Sequence, residues 1–572
     1  MNKKQLHHLV PSYNKNLFRQ DFIAGLTLFV MLIPQGMAYA MLAGVPPEMG
    51  LYASTIPLII YAIFGSSKHL SVGPVAVSSL LVFTGVSVFA EPGSAEYISY
   101  VLILAVMVGF IQLLLGLFRA GFIVKFIPHS VLSGYTSAVA IVIGISQIEH
   151  ILGINLGNYL QVQVILLELF NRLSDVHFTT VAIGLASILL LFIFKKIHPR
   201  IPGPLLIVLL SIGAVSVLGL EDTGIQIVGD VPGGFPSLVF PNLTLDNVQL
   251  LFPMALTIAL IGFMESLAIA KAVASKEKYT VKPNKELKAL GLANIAGSFF
   301  QSFPVNGSFS RTAVNHETGG ATQFTSVITA CGVLVTLLFF TSYFYYLPNA
   351  VLASIIIMAV YKLIDTKQMK YLFKVKPFEG WVWVFTFFVT LFVGIQWGII
   401  LGAVFTLLIL VRRSAKPNVV EVGYLEEEQA FRAVNRFPGA KTVKNVLLIR
   451  IDSNIHFANI NYLEEEIKSL HLEKPEAKWI MMEMSGVNDI DTVAARSLEE
   501  IVERFQRKGI RFWFANVKGQ VRDTINKAGW EKHLEEQVSY LPLDQLLKEK
   551  GINDFSKLAK SPKHDAHDDY MI

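Results

Sequence analysis

Two stretches rich in glycine, serine and proline interrupt otherwise apolar sequence in the same rough order, more than two hundred residues apart. The first reads Gly65-Ser-Ser-Lys-His-Leu-Ser-Val-Gly-Pro-Val-Ala-Val-Ser-Ser79, and the second reads Gly297-Ser-Phe-Phe-Gln-Ser-Phe-Pro-Val-Asn-Gly-Ser-Phe-Ser-Arg311. Membrane helices that are interrupted at matching places in two halves of a chain mark the substrate site of many transporters. The pair therefore predicts a binding site for a transported solute.

Arg311 ends the second stretch and indicates that the solute is an anion. An arginine at the centre of a membrane helix costs about 2.5–3.5 kcal/mol on insertion scales, so other interactions must offset that cost. Its guanidinium offers forked donors that suit an oxyanion. Arg311 could instead pair with Glu265 or reach the cytoplasmic interface. Ser308 and Ser310 could donate their hydroxyls to the anion or bond their own backbone.

The backbone of the two stretches is expected to replace the water around the anion. Half-helices that begin near Pro74 and Gly307 would present unpaired N–H groups and the positive ends of their dipoles. In an inverted repeat these two N-termini point at each other. Gly73 and Gly307 allow close approach of the backbone. The alternative is that the small residues only allow tight packing between helices.

Glu265 lies in the apolar segment Gly262-Phe-Met-Glu-Ser-Leu-Ala268, and an ionisable residue at membrane depth is a functional candidate. Desolvation and like-charge repulsion disfavour a carboxylate beside an anion. Protonation removes the repulsion, so a proton and the anion should bind together. The alternatives are a structural ion pair with Arg311 or a carboxyl bonded to backbone. Ala268 and Ala270, which follow Glu265, have no side-chain oxygen and so provide poor ligation for sodium, which favours proton coupling.

The composition divides the chain into a membrane region and a soluble region. Of its 572 residues 53% are hydrophobic and 16% are charged, against about 25% charged in globular domains. Charge is sparse up to about Arg413 and dense afterwards. The single Cys331 excludes an intramolecular disulfide and a cysteine metal cluster. The lysines behind the net charge of +5 cluster beside apolar segments, so they indicate membrane topology and not nucleic-acid binding.

The apolar runs predict a polytopic α-helical membrane protein with about fourteen spans, arranged as seven plus seven. Loops that follow even-numbered spans are basic, as the five lysines between Lys271 and Lys285 illustrate, and this places both termini in the cytoplasm. An odd number of spans in each half forces the halves into opposite orientations. The predicted spans begin near Phe22, Leu51, Pro74, Tyr97, Pro128, Thr179, Pro204, Leu251, Leu287, Gly307, Phe324, Pro348, Trp381 and Gly398.

Strands alternating with helices after residue 440 predict a small α/β domain. The predicted strands are Val446 to Asp452, Trp479 to Met484 and Ile510 to Asn516, and the predicted helices are Asn461 to Leu470, Thr492 to Lys508 and Val517 to Ala528. We expect a cytoplasmic N-terminal segment (1–20), a transmembrane domain (21–413), a linker (414–439), the α/β domain (440–550) and a polar tail (551–572). His564 and His567 in that tail could bind a metal, but we expect a solvated tail and no metal site.

Several motifs together resemble the sulfate permease family of anion transporters, over nearly the whole chain. They are Gln35-Gly-Met-Ala-Tyr-Ala40, Pro46-Pro-Glu-Met-Gly-Leu-Tyr-Ala-Ser54, Gly65-Ser-Ser-Lys68, Asn284-Lys-Glu-Leu-Lys-Ala-Leu-Gly-Leu-Ala-Asn294 and Gly307-Ser-Phe-Ser-Arg-Thr-Ala-Val-Asn315. Met484-Ser-Gly-Val-Asn-Asp-Ile-Asp-Thr-Val-Ala494 resembles the core of a STAS domain, the usual cytoplasmic tail of this family. The resemblance implies an inverted repeat like that of the uracil permease, a core domain that moves against a gate domain, and a homodimer.

The resemblance also implies roles for individual residues. The substrate-binding positions would be Gln35, Tyr39, Gly73, Val75, Ala76, Gly307, Ser308, Ser310 and Arg311, with Glu265 beside the substrate for proton coupling. Gln35 could instead pack between helices. Several relatives carry an aromatic residue where this chain has Val75, which alters the cavity. Soluble STAS proteins are phosphorylated at the position of Thr492, although we favour a helix-capping role for Asp491 or Thr492.

We therefore expect a secondary active importer of sulfate or a related small oxyanion, driven by protons, in a bacterial cytoplasmic membrane. The alternatives are a bicarbonate or dicarboxylate transporter, possibly coupled to sodium, a chloride exchanger or channel, and a sensor that reports anion occupancy to the STAS domain. A cytoplasmic regulator could bind that domain. We expect no enzyme activity and no cofactor, because the sequence has no P-loop, no metal-site spacing and no convincing nucleophile arrangement.

Overall fold

The computed structural model describes residues 13–122, 128–156, 162–197, 202–552 and 559–560. Residues 1–12 of the predicted N-terminal segment and most of the predicted tail, with His564 and His567, lie outside the described residues. The chain divides into two units, Met1–Phe405 and Thr406–Ile572. We call them the membrane unit and the soluble unit.

The first half of the membrane unit contains ten helices and one short strand within the described residues. They are α1 (Lys15–Leu42), α2 (Pro47–Tyr52), α3 (Ile56–Phe64), β1 (Val72–Gly73), α4 (Ala76–Val86), α5 (Ala95–Leu117), α6 (His129–Ser146), α7 (Ile148–Leu152), α8 (Val162–Asn171), α9 (Phe178–Ile197) and α10 (Gly203–Leu218). Asn14 and Ser94 cap α1 and α5 by accepting hydrogen bonds from the N–H groups of Leu17 and Tyr97.

The second half repeats this order, again with a short strand before a short helix. It contains α11 (Leu245–Lys276), α12 (Pro283–Phe299), β2 (Asn306–Gly307), α13 (Phe309–Glu317), α14 (Phe324–Phe339), α15 (Asn349–Val360), α16 (Thr366–Val375), α17 (Pro377–Phe392) and α18 (Ile395–Ala415), which extends into the soluble unit. Short 3-10 turns occur in the described residues at 120–122, Leu173–Asp175, Leu220–Thr223, Thr341–Phe344, Tyr361–Leu363, Trp530–Lys532 and Glu535–Gln537.

Eight helical stretches in the described part of the chain are long and apolar enough to cross a membrane. Shorter apolar helices, among them α4 with 11 residues and α14 with 16, accompany them. A full crossing needs about 20 residues, so α4 cannot span the hydrocarbon alone. The fold is thus a helical membrane fold with interrupted helices, and fourteen spans remain a prediction.

The helices of the membrane unit pack as two groups. The first helix group comprises α1 to α5 and α11 to α14, and the second comprises α6 to α10 and α15 to α17. Gly402 of α18 lies against Thr386 on α17 and Val131 on α6, which places α18 in the second group. Glycines bring helices of the first group close together: a Cβ on Gly109 of α5 would lie 2.6 Å from the carbonyl oxygen of Gly291 on α12. Such contacts are typical of membrane helices, whose association depends on close packing and not on water exclusion.

The soluble unit contains a seven-stranded sheet with helices on both faces. Its elements are β3 (Val419–Leu425), β4 (Ala430–Ala433), β5 (Lys441–Thr442), β6 (Val446–Ile451), α19 (Ile460–Glu473), β7 (Trp479–Glu483), α20 (Thr492–Arg507), β8 (Arg511–Ala515), α21 (Gly519–Lys527), α22 (Leu543–Glu549) and β9 (Ala559–Lys560). The sheet order is β8-β7-β6-β3-β5-β9, with β4 paired to β3. The strands β6, β7 and β8 are parallel, and β3 is antiparallel to β6.

Alternating side chains of β6 show why the sheet carries helices on both faces. Leu447, Ile449 and Ile451 belong to the core with α19, α20 and α21, whereas Val446 and Leu448 pack with α22. The three predicted strands and three predicted helices are present within a few residues of their predicted ends. The α/β prediction for this unit is therefore confirmed.

The segment 414–439 is not the linker that we predicted from the sequence. It carries β3 and β4, and β3 pairs with β6 at the register Val419 to Ile451. The acidic run Glu426-Glu-Glu428 forms the turn between these two strands. Because this charged run lies between them, the alternation of apolar and polar residues in the two strands is hard to recognise in the sequence. The sheet of the soluble unit therefore begins at Val419.

Candidate functional site

The two interrupted stretches meet in the structure. β1 and β2 pair in antiparallel fashion, with Val72 opposite Gly307 and Gly73 opposite Asn306. The N–H of Ser308 extends this pairing by donating to the carbonyl of Ser71 at 2.9 Å. Because α4 begins just after β1 and α13 begins just after β2, this pairing brings the N-termini of the two short helices together.

Five backbone N–H groups at these N-termini have no acceptor among the described residues. They belong to Ala76, Val77 and Ser78 on α4 and to Phe309 and Ser310 on α13. Val75 is the N-cap residue of α4, and its backbone is extended. Unpaired N–H groups at helix starts, together with the helix dipole, form the elementary anion site of proteins.

Two further N–H groups of the second stretch are already paired. Gly307 donates its N–H to the hydroxyl of Ser266 on α11 at 2.8 Å, and Ser308 donates to Ser71. Ser308 also caps α13, with its hydroxyl 3.5 Å from the N–H of Arg311 and 3.3 Å from the hydroxyl of Ser310. Ser308 is therefore a helix cap in this structure, and Ser310 is partly exposed beside it.

Arg311 is completely buried between the two half-helices. Its Nη1 donates to the carbonyl of Pro74 at 2.9 Å, and its Nε donates to the hydroxyl of Ser71 at 3.4 Å. Its Nη2 is buried and has no partner in the described part of the chain. A Cβ on Gly73 would lie 3.2 Å from that nitrogen, so glycine leaves room for the guanidinium.

The ion pair between Arg311 and Glu265, an alternative from the sequence, is not found among the described residues. The groups that contact the guanidinium are a hydroxyl and a carbonyl, which stabilise its charge without cancelling it. One charged donor therefore remains available at the meeting point of the half-helices.

Gln35 and Tyr39 lie one turn apart on α1, and both are about 95% buried. Tyr39 lies close enough to Arg311 for an electrostatic interaction. The Oε1 atom of Gln35 is buried without a hydrogen-bond partner in the described residues. The structure thus places Tyr39 near Arg311. On the same helix, one turn away, the Gln35 side-chain amide oxygen has no hydrogen-bond donor among the described residues.

Glu265 lies on α11, next to Ser266, and its side chain is partly exposed. It forms no hydrogen bond or salt bridge with the other residues that the structure describes. Tyr135 on α6 lies close enough to Glu265 for an electrostatic interaction; it is completely buried, and its hydroxyl has no hydrogen-bond partner among the described residues. Glu265 is therefore an uncompensated carboxyl on the helix that supports β2.

Several polar residues that position the site were not predicted from the sequence. Thr312 accepts a hydrogen bond from the N–H of Ser71 at 3.0 Å, and Asn306 donates to the hydroxyl of Ser78 at 2.7 Å. Ser71, Ser78 and Asn306 all lie within the interrupted stretches, so their polarity in an apolar context was a usable signal. Ser266 had no such signal beyond its place next to Glu265.

In the soluble unit, Asp491 caps α20. Its carboxylate accepts hydrogen bonds from the N–H groups of Ala494 and Phe457, both at 2.8 Å. Thr492 is the first residue of the helix and is exposed. The capping role is therefore confirmed for Asp491, and phosphorylation of Thr492 stays a prediction.

One group of side chains in the described residues has the spacing of metal ligands. The ligand atoms of Glu499, Glu503 and His533 lie within 4.8 Å of one another. His533 already lies 2.6 Å from Glu499 as a salt bridge, and two of the three residues are exposed. Surface carboxylates of this kind are common without a bound ion.

Sequence profiles match both units. The profile described as the sulfate permease family matches residues 18–386, and the profile described as the STAS domain matches residues 438–540. "Sulfate transporter 4.1, chloroplastic" of Arabidopsis thaliana is 35% identical over 530 residues, which cover 90% of this chain and 77% of that protein. "High affinity sulfate transporter 2" of Stylosanthes hamata is 32% identical over 553 residues, covering 92% and 83%.

Solved structures share the fold. The murine Slc26a9 anion transporter in its inward-facing state superimposes with a TM-score of 0.88 at 24% identity, covering 96% of this chain and 94% of that one. The transmembrane domain of the cyanobacterial bicarbonate transporter BicA gives a TM-score of 0.60 at 23% identity, covering 68% of this chain and 98% of that one. At these identities the likeness concerns the fold alone.

Proposed function

The chain belongs to the sulfate permease family, and from this premise we propose that it imports sulfate or a related small oxyanion by secondary active transport. The buried Arg311, with a free Nη2 between two facing half-helix N-termini, carries the proposal. Five N–H groups at the starts of the same two half-helices have no acceptor among the described residues. Together they provide fixed donors that replace the water around an anion.

The character of the donors supports sulfate. A sulfate ion carries no proton at neutral pH, so all four of its oxygens accept hydrogen bonds. The groups available at the half-helix starts are N–H donors and one guanidinium nitrogen, and charged donors of this kind bind oxyanions strongly. Relatives that cover most of this chain bear the name of sulfate transporters, which agrees with this choice.

We further propose that Glu265 couples transport to protons. Its carboxyl has no cationic partner in the described residues, and it lies on the helix whose Ser266 holds Gly307. Two like charges in a region of low dielectric repel each other strongly, so a bound anion favours the protonated carboxyl. Proton and anion would then enter together as a symport.

The arrangement of the helices supports an elevator-like movement. The proposed anion site is built from α1, α4, α11 and α13, which all belong to the first helix group. The site can therefore travel with that group as one body against the second group. Tyr135, which faces Glu265, lies on the second group, where it would meet a different part of the first group after such a movement.

The setting of the protein is also proposed. The protein is an integral membrane protein by family and by its apolar helices. We propose that it functions as a homodimer in a bacterial cytoplasmic membrane, with both termini in the cytoplasm. The basic loops of the even-numbered spans support this orientation.

Uptake of radiolabelled sulfate into proteoliposomes tests the proposal. The protein is reconstituted in sodium-free buffer, with and without an inward proton gradient, and a protonophore is added as control. We expect accumulation above equilibrium that depends on the gradient and collapses with the protonophore. Intact protein that takes up no sulfate but exchanges bicarbonate, a dicarboxylate or chloride would overturn the assignment, and uptake that requires sodium would overturn proton coupling.

A further inference from the structure

One face of α11 carries both the proposed coupling residue and the residues that hold the second half-helix. Gly262, Glu265 and Ser266 are spaced three and four residues apart, so they share this face. Gly262 and Ser266 contact β2, through the side chain of Asn306 and the N–H of Gly307. Glu265, the proposed coupling residue, therefore lies on the same face of α11 as the two residues that contact β2, the strand that precedes α13.

Ser266 makes two hydrogen bonds and is completely buried. Its hydroxyl donates to the carbonyl of Gly262 at 2.6 Å, and it accepts the N–H of Gly307 at 2.8 Å. The donation alone would be an ordinary bond of a serine to its own helix. The accepted bond is different, because it joins α11 to Gly307 in β2, two residues before α13 begins.

Gly262 extends the same contact to Asn306. A Cβ on Gly262 would collide with the side-chain amide of Asn306, so the amide lies directly against the backbone of α11. The same amide donates to Ser78 on α4 at 2.7 Å. Through Asn306 and Gly307, the Glu265 face of α11 therefore contacts elements of both half-helices.

We propose that Ser266 is a positioning residue that holds the start of α13 at a fixed distance from the carboxyl of Glu265. This inference rests on the proposed function, and it explains how a carboxyl that does not touch Arg311 acts on the anion. With the Ser266 bond in place, repulsion between the carboxylate and the anion cannot be relieved by displacement of α13. Protonation of Glu265 is then the available response, so the anion and the proton are bound together.

The test measures the half-saturation constant for sulfate uptake at several external pH values, in proteoliposomes that contain the full-length protein. In the unchanged protein the constant should fall as the pH falls. In Ser266→Ala the N–H of Gly307 loses its acceptor, and we expect a constant about tenfold higher, with a weaker dependence on pH. Ser266→Thr keeps the hydroxyl and should restore the pH dependence.

Ser354 provides the matched control. It is also completely buried, and its hydroxyl donates to the carbonyl of Ala350 on its own helix at 2.7 Å and to the carbonyl of Gly184 on α9 at 3.0 Å, but it accepts no backbone N–H from the residues that the structure describes. Ser354→Ala should therefore keep the normal pH dependence. If Ser266→Ala does not yield folded protein, Ser266→Cys replaces it, because sulfur is a weak acceptor that should weaken the pH dependence in part.

The outcomes separate this inference from the proposed function. If the unchanged protein takes up sulfate without any effect of pH, proton coupling fails and the inference fails with it. A second outcome is that the unchanged protein shows the pH dependence and Ser266→Ala shows a pH dependence of the same size. In that case the role of Ser266 is overturned and the proposed function stands. A constant that rises equally at every pH would reduce Ser266 to a packing role.

Discussion

Arg311 is a buried positive charge that neutral groups stabilise, and we propose that it binds the anion. A charge on the helix centre costs about 2.5–3.5 kcal/mol, and a carboxylate partner would offset this cost but cancel the charge. Arg311 instead donates to the carbonyl of Pro74 and the hydroxyl of Ser71, which are neutral acceptors. Its Nη2 has no partner among the described residues, and we propose that this nitrogen donates to the anion.

Replacement of Arg311 should therefore weaken anion binding more than it weakens folding. We expect Arg311→Ala to bind sulfate about 10- to 100-fold more weakly, which corresponds to the loss of one or two charge-assisted hydrogen bonds. Arg311→Lys keeps the positive charge but not the forked geometry, so its affinity for sulfate should lie between those of the unchanged protein and Arg311→Ala. Equilibrium binding of radiolabelled sulfate measures the change.

The control for this prediction is Arg496→Ala in the soluble unit, where the side chain is 84% exposed. This variant should bind sulfate normally. Normal affinity in Arg311→Ala, in protein shown to be folded, would return Arg311 to a structural role.

Replacement of Glu265 should separate transport from the proton gradient. Glutamine mimics the protonated carboxyl and cannot release a proton, so Glu265→Gln should lose gradient-driven accumulation while sulfate exchange continues. Counterflow and gradient-driven uptake are measured on the same proteoliposomes. Glu48→Gln changes another partly buried carboxyl of the membrane unit and should behave normally. Full accumulation by Glu265→Gln would contradict the coupling role.

At the scale of elements, the site depends on two short helices that begin inside the protein. Each follows a two-residue strand, and the two strands pair with each other. The pairing satisfies backbone groups at a depth where water is scarce, so extended backbone is tolerated there. The first N–H groups of the helices that follow have no acceptor among the described residues, and they form the proposed anion-binding surface.

The contact between α11 and β2 makes a clear prediction for a glycine. In Gly262→Ala the new Cβ would collide with the amide of Asn306, which must move away from Ser78. We expect sulfate uptake to fall at least tenfold because the two half-helices lose their alignment. Gly144→Ala on α6 is the control, since nothing lies within 4 Å of the added Cβ.

Uptake and thermal unfolding of the two glycine variants are compared side by side. Gly144→Ala should transport normally and unfold at the same or a slightly higher temperature, because alanine favours a helix. Normal uptake by Gly262→Ala would show that the position of Asn306 does not matter for transport.

At the scale of the whole molecule, we expect the membrane unit to bind the anion and the soluble unit to affect assembly or rate. All proposed anion contacts lie in the membrane unit, and the soluble unit has its own core around β6, β7 and β8. We therefore expect a chain that ends after Arg413 to assemble less well or transport more slowly, with unchanged preference among anions. Competition of sulfate uptake by selenate, bicarbonate and chloride measures the preference.

The full-length protein, assayed at the same amount in the membrane, is the reference for this comparison. A change in the order of competing anions after truncation would contradict the division of labour. It would mean that the soluble unit contributes to the site in a way that no contact proposed above provides.

The sequence by itself determined the class of this protein, because hydrophobic runs, charge asymmetry and local motifs are read along the chain. The two interruptions, Arg311 and the strands β6, β7 and β8 were visible in this way. The strands β3, β4, β5 and β9 were not predicted; β4, for example, has only four residues next to an acidic turn, which carry too little alternation.

Only the tertiary structure decided which polar groups are paired and which are free. Arg311 finds Ser71 across 240 residues of sequence, and Ser266 finds Gly307 across 41. Partners at such separations are set by how helices pack, and a local pattern holds no information about them. The free N–H groups of α4 and α13, the unpaired nitrogen of Arg311 and the role of Ser266 follow from that packing.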